Sequence, residues 1–310
     1  SIEGGAIMKK IGDMMNQTDI EDMKKESIYA LASQKHIQAF LQNHHLQPSI
    51  MDDYWVEFLD YNDDYHMCLD CQSLESCPKA NKGMKKNLVY HDGDIVLELE
   101  SCAYGKSLEK RRLLLEKFVI TNMNDDLLLT DLTSLNIVKN AQSLSPNGQY
   151  ALGNILKYIQ EPSDKGLFLH GEMGCGKTTL LAGLMNSLAK KGKEIGFIHF
   201  PTYLIDLKAS FSTGDNEYAM DKLMKVDYLL LDGIGEENVT VWSRDEILLT
   251  ILSYRLLNHL PTFFTSMYGY KDLKKVYTIK KGDEIRANTI ISKLKALSIE
   301  IMLDEGKMKI

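Results

Sequence analysis

The sequence lacks an apolar run long enough to cross a bilayer, and it opens without a signal-peptide pattern. It also lacks internal repeats and low-complexity tracts, and it contains only five arginines. The first two absences predict a cytoplasmic protein without a membrane partner. None of the five arginines lies in residues 1–105, so that part of the chain is a poor candidate for contact with nucleic acid.

Charge is distributed unevenly along the 310 residues, of which 44% are hydrophobic and 25% charged. Residues 1–105 have nine lysines against eighteen acidic side chains, whereas residues 106–310 have twenty-seven basic and twenty-five acidic ones. The acidic front part is typical of a protein-binding module, and the length allows two domains. We expect a cloning remnant over residues 1–7 before Met8, a first domain over 8–105, a linker over 106–126 and a second domain over 127–310.

The stretch from Gly171 to Thr179 matches the pattern G-x-x-x-x-G-K-[ST] without exception. In this pattern the glycines let backbone N–H groups surround phosphate oxygens, the lysine adds positive charge, and the next hydroxyl binds Mg²⁺. Residues 166–170 predict a buried strand before the loop, and residues 180–189 predict a helix after it. We therefore predict that ATP and Mg²⁺ bind to this loop through Gly171, Gly174, Cys175, Gly176, Lys177, Thr178 and Thr179.

The second half of the chain alternates apolar segments with helical patterns, which predicts an α/β fold with a parallel sheet. The segments cover residues 166–170, 195–200, 228–232 and 262–266. The third ends in Asp232, an acid placed where a Walker B segment holds Mg²⁺. We expect Lys177 and Asp232 to take part in catalysis, with Glu236 or Glu237 activating water from the turn that follows.

Four of the five cysteines lie in one segment of the front part, which otherwise predicts helices over residues 8–47 and a hairpin around residues 91–94. A C-x-x-C pair with two further thiols can bind Zn²⁺ tetrahedrally, and such a site would stabilise a small domain. His66 and His91 are alternative ligands; a redox dithiol, a disulfide and free thiols are the other interpretations. The predicted structural zinc ligands are Cys68, Cys71, Cys77 and Cys102.

Motifs in the second half occur in a specific order: the phosphate loop, L-L-L-D-x-I-G-x-E, W-x-R-D-E, and Y-R followed by L-P-T-F-F-T-S. In this combination the sequence resembles the bacterial primosomal helicase loaders of the DnaI and DnaC type, which are AAA+ ATPases. The resemblance covers nearly the whole chain. It implies an AAA+ domain after a small helical, zinc-binding N-terminal domain that binds the replicative helicase hexamer. It also implies contacts with single-stranded DNA and other primosome proteins, and ATP-dependent self-assembly.

The sequence departs from the family pattern mainly on the side of catalysis. Gly233 stands where members have a second acid, and Met267 where they have a polar residue, although Thr265 or Ser266 can partly replace it. The arginine-finger position has Lys293, with Arg286 upstream in the same helix. A lysine cannot form the bidentate contacts of an arginine, so we hypothesise normal ATP binding with weak hydrolysis. The family's zinc-ligand histidine corresponds to Lys85, so Cys77 must complete the zinc site.

Three other functions compete with that of a helicase loader. An AAA+ helper of a DNA transposase would share the ATPase module but not the acidic, cysteine-containing front domain. A small-molecule P-loop kinase would use a lid with an arginine cluster, which this sequence does not have. An adaptor that does not turn ATP over would not need Lys177, Thr178 and Asp232, all of which are intact.

Overall fold

The computed structural model describes residues 17–133, 144–209 and 216–303. The predicted remnant over 1–7 and the first part of the predicted helical stretch, residues 8–16, lie outside these ranges. The chain divides into two compact units, Ser1–Lys110 and Arg111–Ile310. No helix in the described ranges is both long and apolar enough to span a membrane.

The N-terminal unit packs helices against a two-stranded antiparallel hairpin. Its hydrophobic core includes Ile37, Met51, Phe58 and Leu88, all buried. The hairpin turns at Asp92 and Gly93, which both have positive φ, as a two-residue turn of this kind requires. Its elements are α1 Gln17–Ala32, α2 Lys35–Asn43, a 3₁₀ helix Pro48–Asp52, α3 Trp55–Leu69, β1 Met84–His91, β2 Asp94–Ser101 and α4 Ala103–Leu115, which crosses into the second unit.

The C-terminal unit is built on a six-stranded parallel sheet in the order β3-β5-β6-β7-β4-β8. Its strands are β3 Phe118–Thr121, β4 Gly166–His170, β5 Ile195–His199, β6 Tyr228–Asp232, β7 Thr262–Ser266 and β8 Ser298–Met302. Its helices are α5 Asp125–Leu128, α6 Pro146–Gln160, α7 Lys177–Lys190, α8 Phe200–Ala209, α9 Asn216–Lys225, the π-helical segment Trp242–Leu248, α10 Leu249–Leu257, α11 Tyr270–Tyr277 and α12 Glu284–Leu297.

Helices cover both faces of this sheet, which explains why its strands are continuously apolar. One core cluster joins α6 and α7 to the sheet, and a second joins α8, α10, α11 and α12 to the opposite face. The strands β6 and β7 are buried along their whole length. The predicted α/β fold with a parallel sheet is confirmed, including the four predicted strands.

Two features of the C-terminal unit differ from the sequence prediction. The segment 106–126, predicted as a linker, contains the end of α4 and the strand β3, which pairs with β5. The strand β8 was not predicted, and it pairs with β4 at the other edge. Both are edge strands with exposed residues, so neither has the continuously buried run that identifies β6 and β7.

A fully buried arginine fixes the neighbouring ends of β6 and β7. The Arg255 guanidinium donates to the carbonyl oxygens of Val226 and Pro261 at 2.9 and 2.8 Å, and to the Thr262 hydroxyl at 2.8 Å. These bonds distribute its positive charge over main-chain dipoles rather than over a single carboxylate. The strand that ends in Asp232 is therefore anchored at its beginning.

Candidate functional site

The phosphate loop lies between β4 and α7, as the sequence predicts. Gly171, Gly174 and Gly176 have φ values of 147°, 85° and 91°, a region that residues with a side chain rarely adopt. A Cβ atom at Gly171 would lie 2.3 Å from the carbonyl oxygen of Leu303, so only glycine fits there. The loop thus takes its shape from the glycines and leads directly into the N-terminus of α7.

Lys177 is buried at the beginning of α7, with its ammonium turned back into the loop. Its Nζ donates to the carbonyl oxygens of Gly171 and Glu172 at 2.8 and 2.7 Å. The buried Cys175 thiol lies 3.8 Å from the same nitrogen. The positive charge is therefore held at the centre of the loop by neutral acceptors, without a carboxylate partner among the described residues.

A hydrogen-bonded corner joins the phosphate loop to the end of β6. The hydroxyl groups of Thr178 and Thr265 both donate to Asp232 Oδ1, each at 2.7 Å. The Thr265 hydroxyl in turn accepts from the Gly233 N–H at 2.9 Å. The Thr178 hydroxyl and the Asp232 carboxylate are thus adjacent, and both are hard oxygen donors of the kind that Mg²⁺ prefers.

These groups surround a cavity of about 330 Å³ at the carboxyl ends of the strands. The structure brings together most of the residues predicted for nucleotide and magnesium binding, and Met267 lines the same cavity. Its lining residues are Met173, Gly174, Gly176, Lys177, Thr178, Thr179, Asp232, Gly233, Glu236, Thr265 and Met267.

The two glutamates after β6 differ in their surroundings. Glu236 is exposed and lines the cavity. Glu237 is buried, accepting from the Gly235 N–H at 2.6 Å and from the Tyr277 hydroxyl at 3.0 Å, and burial raises the pKa of its carboxyl. The Glu237 carboxylate therefore stabilises the turn after β6. Its partner Tyr277 was not indicated by any sequence pattern.

The candidate finger residues lie on α12, and neither lines the cavity of its own chain. Arg286 is exposed, whereas Lys293 lines a separate groove with Leu256 of α10. The Arg244 guanidinium is buried and pairs with Asp245 at 2.8 Å and with Asp283, next to the beginning of α12, at 3.1 Å. The arginine of W-x-R-D-E thus attaches the π-helical segment to the beginning of α12.

The cysteines of the N-terminal unit do not form the predicted zinc site. No three of the His, Cys, Asp and Glu side chains in the described ranges form a group that could hold a metal ion, although Cys68, Cys71, Cys77 and Cys102 are all described. The residues present therefore do not fit a zinc ion in this structure, and the zinc prediction is not supported.

Neighbouring lysines and main-chain groups account for the arrangement of the thiols. The Lys79 ammonium interacts with the Cys68 thiol and donates to Asp64 at 2.5 Å. The Lys79 and Gly83 N–H groups lower the pKa of the Cys77 thiol, and Cys102 Sγ accepts from the Gly105 N–H at 3.5 Å. Lys85, at the position of the expected histidine, pairs with Glu100 at 2.9 Å.

Comparison with known families gives two matches along the chain. The family described as primosomal protein DnaI N-terminus matches residues 5–98, and the family described as IstB-like ATP binding protein matches residues 154–303. The replicative helicase loader DnaI of Bacillus subtilis strain 168 is 26% identical over 296 residues, covering 93% of this chain and 92% of the relative.

Two solved structures resemble part of this chain. A candidate primosome component from Streptococcus pyogenes serotype M3 is 30% identical with a TM-score of 0.52, covering 63% of this chain and 96% of that one. A crystal structure of DnaI is 29% identical with a TM-score of 0.53, covering 59% and 97%. Because the Bacillus subtilis DnaI relative is aligned over nearly the whole length of both chains, and the DnaI N-terminus model matches residues 5–98, the chain belongs to the DnaI family of primosomal proteins.

Proposed function

We propose that this protein is an ATP-dependent loader of the replicative DNA helicase. It binds ATP and Mg²⁺ in its C-terminal AAA+ unit, binds the helicase hexamer through its acidic N-terminal unit, and helps to place the helicase on single-stranded DNA. The observation that carries the proposal is the preformed corner of Thr178 and Asp232, with its 2.7 Å hydrogen bond, beside the Lys177 ammonium.

The residues of the cavity fit a nucleoside triphosphate with its metal ion. The loop N–H groups and Lys177 would hold the phosphates, and Thr178 with Asp232 would hold Mg²⁺. When bound, Mg²⁺ neutralises charge that develops on the phosphate oxygens. Thr265 keeps the Asp232 carboxylate turned toward Thr178, because its hydroxyl donates to the same oxygen.

The site favours ATP binding over rapid hydrolysis. Position 233 has no carboxylate to orient water, and Met267 offers no hydrogen bond at the cavity wall. The cations on α12 lie outside the cavity of their own chain, so a second copy would have to supply them through self-assembly. A missing arginine finger costs about 10³-fold or more in turnover, and Lys293 replaces its charge without its bidentate geometry.

The N-terminal unit is the proposed contact with the helicase. It is acidic, and it exposes Tyr29, Val56, Met67 and Leu69 at 83%, 54%, 52% and 59%. Exposed apolar side chains rimmed by charge are typical of protein interfaces. Single-stranded DNA and the other primosome proteins are the further proposed partners, with DNA contacting the mildly basic C-terminal unit.

The test is assembly of the full chain with its cognate helicase, measured by size-exclusion chromatography with light scattering. We expect a complex in the presence of Mg²⁺ and a non-hydrolysable ATP analogue, and loss of its nucleotide dependence in Lys177→Ala. No complex under any nucleotide condition would contradict the loader function. Steady-state turnover near about 1 s⁻¹, measured with helicase and single-stranded DNA, would contradict weak hydrolysis.

A helper ATPase of a transposase is the second candidate, because the IstB-like match covers residues 154–303. That match describes the ATP-binding unit alone, whereas residues 5–98 match the DnaI N-terminus. Copurification with a replicative helicase favours the loader, and copurification with a transposase favours the helper. An adaptor without turnover would bind the analogue and show no hydrolysis under any condition.

A further inference from the structure

A histidine side chain fills the space beside Gly233, the position that has lost its acid. Gly233 has a φ of 76°, and a Cβ atom built on it would lie 3.2 Å from Nε2 of His199 and 3.3 Å from its Cδ2. A carboxylate at position 233 would therefore have to displace this imidazole. The ring occupies the start of the path that the missing side chain would follow.

The position and orientation of His199 are fixed by its neighbours. His199 is the last residue of β5 and stands in register with Asp232, the last residue of β6. Its N–H donates to Asn122 Oδ1 at 2.8 Å, and its carbonyl accepts from Asn122 Nδ2 at 3.2 Å. Both hydrogen bonds hold the backbone of β5 at the edge of the cavity.

The imidazole itself is held through one nitrogen. Nδ1 of His199 lies 2.7 Å from the Thr202 hydroxyl, which belongs to the first turn of α8. In the neutral tautomer whose Nδ1–H donates to this hydroxyl, Nε2 has a lone pair. Nε2 lies beside Gly233, 3.2 Å from where its Cβ atom would stand, and Gly233 lines the cavity although His199 itself does not.

We propose that His199 is the general base for ATP hydrolysis in this protein, in place of the missing acid; this inference rests on the proposed function. A water oxygen attacks the γ-phosphorus while Nε2 accepts a proton from that water. The bond between the γ-phosphorus and the β,γ-bridging oxygen breaks, and ADP leaves with the electron pair. The imidazolium then returns its proton to solvent or to the released phosphate, so the step needs no further reactant.

The other carboxylates near the cavity are less suited to this role. Glu237 is buried and already accepts from the Gly235 N–H and the Tyr277 hydroxyl. Glu236 lines the cavity but is exposed, and none of the hydrogen bonds among the described residues orients its carboxylate. Glu236 is therefore the competing base, and the experiment includes it.

The experiment compares His199→Gln with Glu236→Gln in the full chain, with His91→Gln as the matched control because His91 is exposed in the N-terminal unit. Affinity for Mg²⁺ and a fluorescent ATP analogue is measured first. Single-turnover hydrolysis of radiolabelled ATP is then measured with protein in excess. We expect His199→Gln to bind normally and to hydrolyse on the order of 10²-fold more slowly, as the loss of a general base predicts.

Chemical rescue separates a catalytic histidine from a structural one. His199→Ala leaves a space for free imidazole, which we expect to restore part of its hydrolysis rate without changing that of His91→Ala. If His199→Gln does not fold, Thr202→Val takes its place, because it removes the partner of Nδ1 and is expected to slow hydrolysis several-fold.

Each outcome decides the proposal. The proposal is overturned if Glu236→Gln hydrolyses ATP slowly while His199→Gln, or Thr202→Val in its place, hydrolyses it at the unsubstituted rate. That result would assign the base to Glu236. Binding without any hydrolysis in the unsubstituted protein would also overturn it, while leaving ATP binding intact. Failure of the unsubstituted protein to bind Mg²⁺ and the analogue would instead contradict the proposed function itself.

Discussion

The phosphate loop and the cysteine segment are both rich in residues that suggest a ligand, but only the residues of the phosphate loop are arranged around a common site. The loop residues surround one cavity, and Thr178 meets Asp232 at 2.7 Å. The four thiols of the other segment form no metal-holding group among the described residues. Cys71 interacts with Cys68 and Cys77, and lysine side chains and main-chain donors are further neighbours of the thiols.

The difference follows from how each site is assembled. The phosphate loop is a single stretch whose shape is set by glycines at positions of positive φ, so the motif nearly determines its own geometry. The thiols come from the end of α3, the loop between α3 and β1, and the residue after β2. Their distances therefore depend on how the small N-terminal core packs.

The largest expected effect is on the stability of the N-terminal unit, and it comes from breaking the buried ion pair between Asp64 and Lys79. Asp64 and Lys79 have side chains 10% and 8% exposed, and Asp64 also accepts from the Lys86 N–H at 2.8 Å. Asp64→Asn leaves a buried ammonium without its partner, so we expect a loss of about 3–5 kcal/mol in the free energy of unfolding. Urea denaturation of the full chain, followed by hydrogen exchange of the N-terminal unit, measures it.

The matched control for this substitution is Asp60→Asn. Asp60 also pairs with a lysine, Lys86, at 2.5 Å, but the two side chains are 49% and 35% exposed. We expect a change of less than about 1 kcal/mol. Equal losses in the two variants would show that burial does not make the Asp64–Lys79 pair more stabilising than the exposed one.

The second-largest effect is on nucleotide affinity, and it comes from the contact between the phosphate loop and Asp232. Thr178→Ala removes the hydroxyl that meets Asp232, and we expect affinity for the ATP analogue to fall about 10- to 100-fold in Mg²⁺. Without Mg²⁺ the variant and the unsubstituted protein should bind equally. Thr179→Ala is the control, since Thr179 lines the cavity and its described contacts include no bond to Asp232. A similar loss in both variants, or a loss without Mg²⁺, would contradict the magnesium role.

A smaller effect concerns the pH dependence of the C-terminal unit. Burial lowers the pKa of His170, which precedes the phosphate loop, and the nearby Lys177 charge lowers it further against the opposing effect of Glu300. Because the folded pKa lies below the ordinary 6.5, stability is complete above that pH and is lost as pH falls below it. We expect His170→Gln to reduce this acid-side decline in urea midpoints between pH about 7.5 and about 5.5.

The smallest expected effect is that of a chelator on the N-terminal unit. If the thiols have no metal, EDTA leaves both its melting temperature and its binding to the helicase unchanged. Stoichiometric Zn²⁺ in the purified protein, with a fall of several degrees on chelation, would restore the predicted zinc site. It would also remove the contrast between the two regions.

Sequence prediction succeeded where neighbouring residues set the outcome. The strand, loop and helix over residues 166–190 were predictable, as was the hairpin that turns at Asp92 and Gly93. It missed β3 and β8, because a short edge strand is defined by its partner rather than by its own pattern. The segment that contains β3 was interpreted as a linker for the same reason.

The sequence by itself determined the phosphate loop, the acid at the end of β6 and the parallel α/β architecture, since these depend on backbone conformation and on the periodicity of burial. Only the tertiary structure decided which side chains meet. It placed Thr265 on Asp232, Tyr277 on Glu237 and His199 beside Gly233, and it kept the four thiols from forming a metal site. These contacts join residues far apart in the chain, so they follow from strand order and packing, which no local motif encodes.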